Sequence, residues 1–430
     1  MQSGIRHVLH MKFFVKTLVL LLSLPVHAGE LGDLLLATLD HPQNLAAGAQ
    51  KEAAQAQQDA ATGRYFGNAA LSTGWHRYEG NRVVGAYVPG SPGLPLVSER
   101  IAQTGVNYNL PVDLFGVIAA SRERARQDLA LAGFSARQQT LFKLHQATSA
   151  YVTLRALQKQ RAALALYRQR VEATHSRILK EVELGKTAGV EARYAESELA
   201  RLNADESVLL GNIAQAQADL REASGREKLM PASVAIPLPA WDEIVPTETL
   251  PAQIAQAREA SGRAQADEGR RALWPSVSLD ANYFRNRGGG DERDTWTFGG
   301  VVSLPLGASQ YKQAEALKFN AQAAAEQSRA ALRDAERQLV ALRAGYDAAV
   351  ADSQATEKEI AYREEVAAVQ REMQRLGSQT LENLFRHERD LLDAHFRLAQ
   401  AQARAVVAWS AAQIVGGLPS ETYIARMDAQ

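Results

Sequence analysis

Two long, proline-free helical stretches, each closed by a Leu-Gly turn, constrain this chain more than any other feature. The first helical hairpin runs from about Val117 to Leu220 and turns at Leu184-Gly185-Lys186-Thr187. The second runs from about Gln310 to Ile414 and turns at Leu376-Gly377-Ser378-Gln379. The first limb of each extends for roughly 65 residues, which at 1.5 Å rise per residue is about 100 Å of helix. No globular core needs a rod that long; it implies a coiled coil, a repeat or a tube. The limbs carry seams. Leu157, Leu164, Val171 and Ile178 recur every seven residues, as do Leu384, Leu391, Leu398 and Ala405. Leu199, Leu202, Leu209, Ile213, Ala216 and Leu220 recur at three and four. Sustained spacing near 3.5 is coiled-coil packing. The Ala-rich run from Ala321 to Ala325 lets helices approach closely.

Each hairpin is preceded by a helix and by short alternating segments. A first helix covers Gly32 to about Arg64, is interrupted at His41-Pro42 and restarts at Pro42. A strand candidate follows at Ala70–Tyr78, then a Gly- and Pro-rich loop from Glu79 to Ser98. Over Ile101–Leu110, Ala102, Thr104, Val106, Tyr108 and Leu110 alternate with Gln103, Gly105, Asn107 and Asn109. Period two is a strand, with one wet face. After a helix at Pro251–Leu273, the theme repeats from Pro275 to about Arg285. There Val277, Leu279, Ala281 and Tyr283 alternate with Ser276, Ser278, Asp280 and Asn282. A loop from Asn286 to Asp294 carries Gly288-Gly289-Gly290, and Trp296 to Leu304 alternates again. Leu110-Pro111 matches Leu304-Pro305, and Leu184-Gly185 matches Leu376-Gly377, both at an offset of about 190 residues. Two markers at nearly one offset indicate an internal duplication.

The amino terminus reads as an export signal. A basic start at Met11-Lys12 and Lys16 precedes the apolar run Thr17–Leu24 and a small-residue cleavage site after Ala28. That run is shorter than the roughly 20 residues of a membrane-spanning helix. Met11 is the expected start, with the mature chain beginning near Gly29. The chain has 48 Lys+Arg, 48 Asp+Glu and no Cys. The zero balance gives no basic stripe for nucleic acid. The absence of Cys excludes disulfides, thiolate metal sites and a lipidated cysteine.

Strands of nine to eleven residues with one apolar and one polar face are the transmembrane β pattern. Aromatics near their ends (Trp75, Tyr78, Tyr108, Tyr283, Phe284 and Trp296) are candidates for interfacial girdles. A small soluble antiparallel sheet shows the same alternation. Four strands cannot close a barrel, and lipid does not tolerate open edges. A membrane reading therefore requires oligomerisation. Two chains give an eight-stranded barrel filled by side chains; three give twelve strands and a water-filled lumen.

This arrangement resembles the TolC-like outer-membrane factor family over nearly the whole mature chain. The resemblance rests on Leu110-Pro111-Val112-Asp113-Leu114-Phe115-Gly116, Ser303-Leu304-Pro305-Leu306-Gly307 and the two Leu-Gly turns, in duplicated order. It implies a mainly α homotrimeric α/β-barrel, with twelve strands and a twelve-helix periplasmic tunnel. It also implies docking to a periplasmic adaptor and an inner-membrane pump, and no catalysis. Carried over residue by residue, it makes Leu184, Gly185, Leu376 and Gly377 the adaptor-contacting tips. Glu191, Glu382, Asn383 and Arg386 become candidates for the aperture. Asn383 and Arg386 stand where carboxylates are often found, so a strongly acidic gate does not follow. Glu191 and Glu382 read equally as solvated carboxylates at helix starts. Trp75, Tyr108, Tyr283 and Trp296 are the expected interface aromatics, in contact with outer-membrane lipid.

No cofactor, metal or nucleophile–base arrangement is expected. His387 and His395 are eight apart on one helix, whereas metal ligation prefers four-residue spacing and a third partner. His145 and His175 read as ordinary rod positions. The Gly288-Gly289-Gly290 run opens no helix and so is no phosphate loop. The expected organisation is a signal peptide (1–28), a first repeat (29–225), a linker or belt (226–250), a second repeat (251–417) and a short tail (418–430). The expected function is a passive outer-membrane exit duct. The alternative is a soluble periplasmic adaptor or coiled-coil scaffold.

Overall fold

A computed structural model describes residues 30–85, 94–226 and 238–428. The expected signal peptide, part of the first strand loop and part of the linker lie outside the described residues. The order is α1 (Glu30–Leu39), α2 (Pro42–Gly63), β1 (Asn68–Val84), β2 (Leu96–Val112), α3 (Val117–Glu183), α4 (Gly189–Ser224), α5 (Leu250–Arg271), β3 (Ser276–Gly288), β4 (Asp291–Ser303), α6 (Ala308–Arg375), α7 (Leu381–Gly416) and α8 (Ser420–Asp428). The duplication is close in length: α3 and α6 have 67 and 68 residues, and α4 and α7 have 36 each. The helix break at His41-Pro42 falls where proline chemistry places it, with α2 opening on Pro42.

The chain forms two compact units, and both long limbs contribute to each. One unit comprises residues 45–139 and 244–337 and contains all four strands. They form one antiparallel sheet in the order β1-β2-β3-β4. The central pairing, β2 with β3, joins the two repeats; Tyr108 lies opposite Ala281 and Asn109 opposite Asp280. Two junctions explain the motif after β2. Asp113 accepts from the backbone N–H of Ile118 (3.1 Å) and Ala119 (2.9 Å), capping the orphan donors of α3. Gly116 takes φ 72°, which a side chain would strain. In the same unit, α5 approaches α6 through glycines. A Cβ at Gly262 would lie 3.5 Å from that of Ala324, and one at Gly269 would lie 2.6 Å from Leu317 Cδ1.

The strands are longer than their apolar alternation suggests. β1 runs to Val84 and β2 begins at Leu96, so much of the expected Glu79–Ser98 loop is strand. The expected Asn286–Asp294 loop is a two-residue turn, Gly289-Gly290, with φ 63° and 93°. Positive φ at both positions is the geometry that two-residue hairpins require. Charge hid these ends from the pattern. Arg285 pairs with Asp294 (3.3 Å) and Arg287 with Glu292 across the ladder, so polar residues occupy the face that is apolar further down.

The other unit comprises residues 30–44, 140–226, 238–243 and 338–428 among those described. Its core follows the heptads. Leu164, Val171, Ile178, Leu202, Leu209, Ile213, Leu220, Leu384, Leu391 and Ala405 are all buried. The linker's visible end is strapped down. The Tyr346 hydroxyl donates to the Pro239 carbonyl (2.7 Å) and the Trp409 indole N–H to that of Ala240 (3.1 Å). Arg343 lies over the Trp241 ring at 5.3 Å, and Arg426 pairs with Asp242. The residues after Gly417 form α8, with Tyr423, Ile424 and Met427 buried. Among the described residues, no helix is long and apolar enough to cross a membrane.

Candidate membrane-facing sheet and hairpin tips

Register decides which side chains share a face. Leu71, Val106, Tyr283 and Trp296 stand in one row across all four strands, since Leu71 pairs with Val106, Val106 with Tyr283 and Tyr283 with Trp296. The neighbouring rows on that face hold Ala69, Tyr108, Ala281 and Phe298, then Leu110, Leu279 and Gly300, then Val112, Val277 and Val302. This face is apolar and uncovered: Leu71 is 79% exposed, Trp296 76% and Phe298 71%. The opposite face is amide- and hydroxyl-rich. Asn109 donates to Asp280 (2.6 Å) and Asn107 to Ser72 (3.0 Å), while Asn286 donates to Thr295 (3.1 Å). A continuous apolar sheet face of this size on a monomer marks a surface made to be covered.

Trp75, Tyr108, Tyr283 and Trp296 all lie on the apolar face, as expected. Phe284 does not. It belongs to the polar face and lies over Gly105, where a Cβ would come within 2.2 Å of its ring. The sequence reading missed aromatics at the strand–helix junctions. Phe115 stacks on Trp274 with centroids 5.4 Å apart, and Phe66 is exposed just before β1. Phe66 and Trp274 lie two residues before a strand and Phe115 three residues after one, and that position was the available signal. Tyr108 ties this end together by donating its hydroxyl to the Phe66 carbonyl at 2.6 Å. Among the described residues, β1 and β4 are edge strands with one side unpaired.

The two Leu-Gly turns have the same construction. The N–H of Gly185 donates to Val182 O (2.9 Å) and that of Lys186 to Glu181 O (2.8 Å). The N–H of Gly377 donates to Gln374 O (3.0 Å) and that of Ser378 to Met373 O (2.9 Å). This pair of bonds is a Schellman cap, which needs a left-handed residue; Gly185 and Gly377 supply φ 69° and 76°. Leu184 and Leu376 project at the turns, 68% and 71% exposed.

The aperture candidates are only partly brought together. Glu382, Asn383 and Arg386 share the start of α7. Asn383 donates to Gln379 (2.9 Å), and Arg386 donates to Asn383. Thr380 caps this helix by accepting from the Asn383 N–H. Glu191 lies on the first turn of α4 and makes no ion pair or side-chain hydrogen bond among the described residues. The two helix starts do meet through Tyr194, which stacks on Phe385 at 5.8 Å. Burial, then the charges of Glu198 and Glu382, push the Tyr194 hydroxyl up.

Behind the tips, buried charges link the limbs. Glu198 on α4 accepts from the Tyr167 hydroxyl (2.8 Å) and from Arg389 on α7. Glu388 on α7 accepts from Arg170 on α3 at 2.8 Å, with Arg371 of α6 at 3.2 Å. His387 borders a cleft of about 270 Å³ with Glu359, Tyr362, Arg363, Val366 and Asp390. Its carboxylates are already engaged, since Arg363 bridges Glu359 (2.7 Å) and Asp390 (3.0 Å). His395 lies 4.0 Å from Glu364. Among the described residues, no group of three or more His, Cys, Asp or Glu is arranged to hold a metal ion.

No protein-family model and no curated protein matches the chain by sequence. Solved structures match its fold over most of its length. The outer membrane protein VceC from Vibrio cholerae aligns with TM-score 0.74 and 18% identity, covering 91% of this chain and 97% of that one. The outer-membrane channel OprN aligns with TM-score 0.78 and 18% identity, covering 91% of each. The open-state MtrE outer membrane channel of Neisseria gonorrhoeae aligns with TM-score 0.74 and 17% identity, covering 90% of this chain and 89% of that one. The fold is that of TolC-like outer-membrane channels.

Proposed function

We propose that this chain is one protomer of an outer-membrane exit duct, trimeric and passive, serving an inner-membrane pump through a periplasmic adaptor. The observation that carries the reading is the open four-stranded sheet. One face is a continuous apolar surface bordered by aromatics, the other is polar, and both edges lack partners. Lipid excludes unpaired backbone edges, so such a sheet enters a membrane only when copies close it into a barrel. Three copies make twelve strands and leave room for water. The similar solved structures are channels rather than enzymes.

In this reading, Trp75, Tyr108, Tyr283 and Trp296 sit at the lipid–water boundaries. The exposed leucines Leu184 and Leu376, held by Gly185 and Gly377, meet the adaptor. Glu191, Glu382, Asn383 and Arg386 border the aperture, a mixed rather than an acidic rim. The long limbs form the helical tunnel wall. An adaptor is the weaker alternative, because it has one hairpin between β-rich halves and this chain has two hairpins and one sheet. The test is conductance of the purified full chain in planar bilayers. Stepwise single-channel currents from a heat-modifiable oligomer are expected; an oligomer that never conducts overturns the reading.

A further inference from the structure

We propose that Arg77 and Arg100 form a binding site, on the outward face of the sheet, for the phosphate of an anionic membrane glycolipid. The inference rests on the membrane reading above. Arg77 of β1 and Arg100 of β2 are direct cross-strand partners. Side chains directly opposite on one face have Cβ atoms about 5 Å apart, and like charges so placed destabilise the ladder. Both residues are exposed, and among the described residues neither guanidinium has an ion pair.

Two other arginines at this end are neutralised across the ladder, and Arg82 lies over the Tyr78 ring at 5.2 Å. On the same face, Arg285 is matched by Asp294 and Arg287 by Glu292. The acidic groups of β4 on this face are therefore already committed. A neighbouring protomer bringing its β4 against the β1 edge would offer Arg77 no free carboxylate there. Glu99 alternates to the opposite face. Glu79 falls in the irregular stretch where the β1–β2 register shifts between Arg77 and Arg82.

Position selects a lipid over a free anion. Along this face the rows run from Leu71 and Val106 through Thr73 and Thr104 to Trp75 and Ala102, and then to Arg77 and Arg100. The pair thus stands one step beyond the Trp75 ring, on the water side of the apolar band, whose last wholly apolar row is Leu71, Val106, Tyr283 and Trp296. That side is where a lipid's headgroup lies when its chains cover Leu71 and Val106. Two guanidinium forks side by side offer the parallel donors that phosphate oxygens accept.

The test is native mass spectrometry of the detergent-solubilised full chain. It is titrated with a phosphorylated acyl-disaccharide lipid, the same lipid after phosphatase treatment, and inorganic phosphate. A saturable adduct with the phosphorylated lipid is expected, with little adduct from the other two. The Arg77→Gln/Arg100→Gln variant should bind the phosphorylated lipid about tenfold more weakly or worse, and the double Lys variant, which keeps the charge but loses the forks, should fall between it and the unaltered chain. Equal binding by the Gln variant overturns the proposal, as does equal binding of the dephosphorylated lipid. Saturable binding of inorganic phosphate alone at similar strength also overturns it. The comparison of ligands on the unaltered chain needs no variant to fold. A chain that conducts yet ignores the lipid phosphate refutes this site and leaves the duct standing.

Discussion

The Tyr167 hydroxyl on α3 donates to the Glu198 carboxylate on α4 at 2.8 Å, and Arg389 of α7 reaches the same oxygen. The Glu198 carboxylate is buried and shared by three helices. Burial and the bond to Glu198 hold the Tyr167 hydroxyl protonated far above its usual range. The tyrosine is thus a neutral donor, and the carboxylate carries the charge that Arg389 answers. Tyr167→Phe should cost about 1.5–3 kcal/mol, the worth of a hydrogen bond to a charged group. Glu198→Ala should cost more, about 3–5 kcal/mol, because it strands Arg389. Denaturant unfolding of the two single variants and the double variant measures this. Equal costs for both single changes would refute the shared-oxygen account.

Stability should fall on both sides of neutral pH, and one hydroxyl chain contributes to each fall. His145 Nδ1 lies 2.9 Å from the Ser410 hydroxyl, Ser410 is 2.5 Å from the Tyr423 hydroxyl, and Tyr423 is 2.8 Å from Thr148. These contacts hold α3, α7 and α8 together. Burial lowers the His145 pKa below its usual 6.5. The unfolded chain therefore binds the proton first, and stability is lost as pH falls below about 6.5, until the folded-state pKa is passed. Burial also raises Tyr423 to about 12 from 10.0. Its contribution is complete below pH 10 and lost between about 10 and 12. Each limb has a limiting slope near 1.4 kcal/mol per pH unit. His145→Asn should reduce the acid limb alone, and Tyr423→Phe should reduce the alkaline limb alone, to which Tyr167 also contributes, in melting temperatures recorded against pH.

The two sheet faces should respond oppositely to charge. Phe298 lies on the apolar face and Thr297 on the polar one, adjacent in sequence. Phe298→Arg places a cation against lipid at a cost of up to about 2–4 kcal/mol per chain, the midplane limit. Thr297→Arg points into water in the proposed barrel. Membrane fractionation should find the first variant depleted from outer membranes and the second present as a heat-modifiable oligomer. Equal depletion would remove the basis for assigning the lipid side.

What could be read from sequence was whatever repeats at short range. The Leu-Gly turns announced themselves because a Schellman cap needs glycine at one position, and Leu164, Val171 and Ile178 because a seam needs its period. The face assignments of Val106 and Asn107 followed from alternation. Three things were not legible. The strand ends were masked because Arg287 and Glu292 satisfy each other across the ladder without apolar character. Glu388 looked like any rod charge, since its partner Arg170 is 218 positions away. The helix after Gly417 is too short to show a period; its buried Tyr423 is explained by Thr148, Ser410 and the Trp409 ring, all distant from what the helix itself shows.

Backbone geometry gives the same substitution opposite signs at two glycines. Gly377 has φ 76° at the second hairpin tip, where its N–H and that of Ser378 close the end of α6. Gly211 lies within α4 with nothing within 4 Å of where a Cβ would stand. Gly377→Ala forces an L-residue into the left-handed region and should cost about 1–2 kcal/mol. Gly185→Ala, at the matching tip, should cost about the same. Gly211→Ala should gain about 0.5–1 kcal/mol, because the unfolded chain loses freedom and the helix gains a better former. Urea midpoints followed by far-ultraviolet dichroism will order the variants as Gly211→Ala, unaltered chain, Gly377→Ala. If Leu376 meets an adaptor only while the cap holds it outward, Gly377→Ala will also weaken adaptor capture, and Gly211→Ala will leave it unchanged. A tip variant that melts lower yet captures the adaptor normally would separate the cap's structural role from any role in docking.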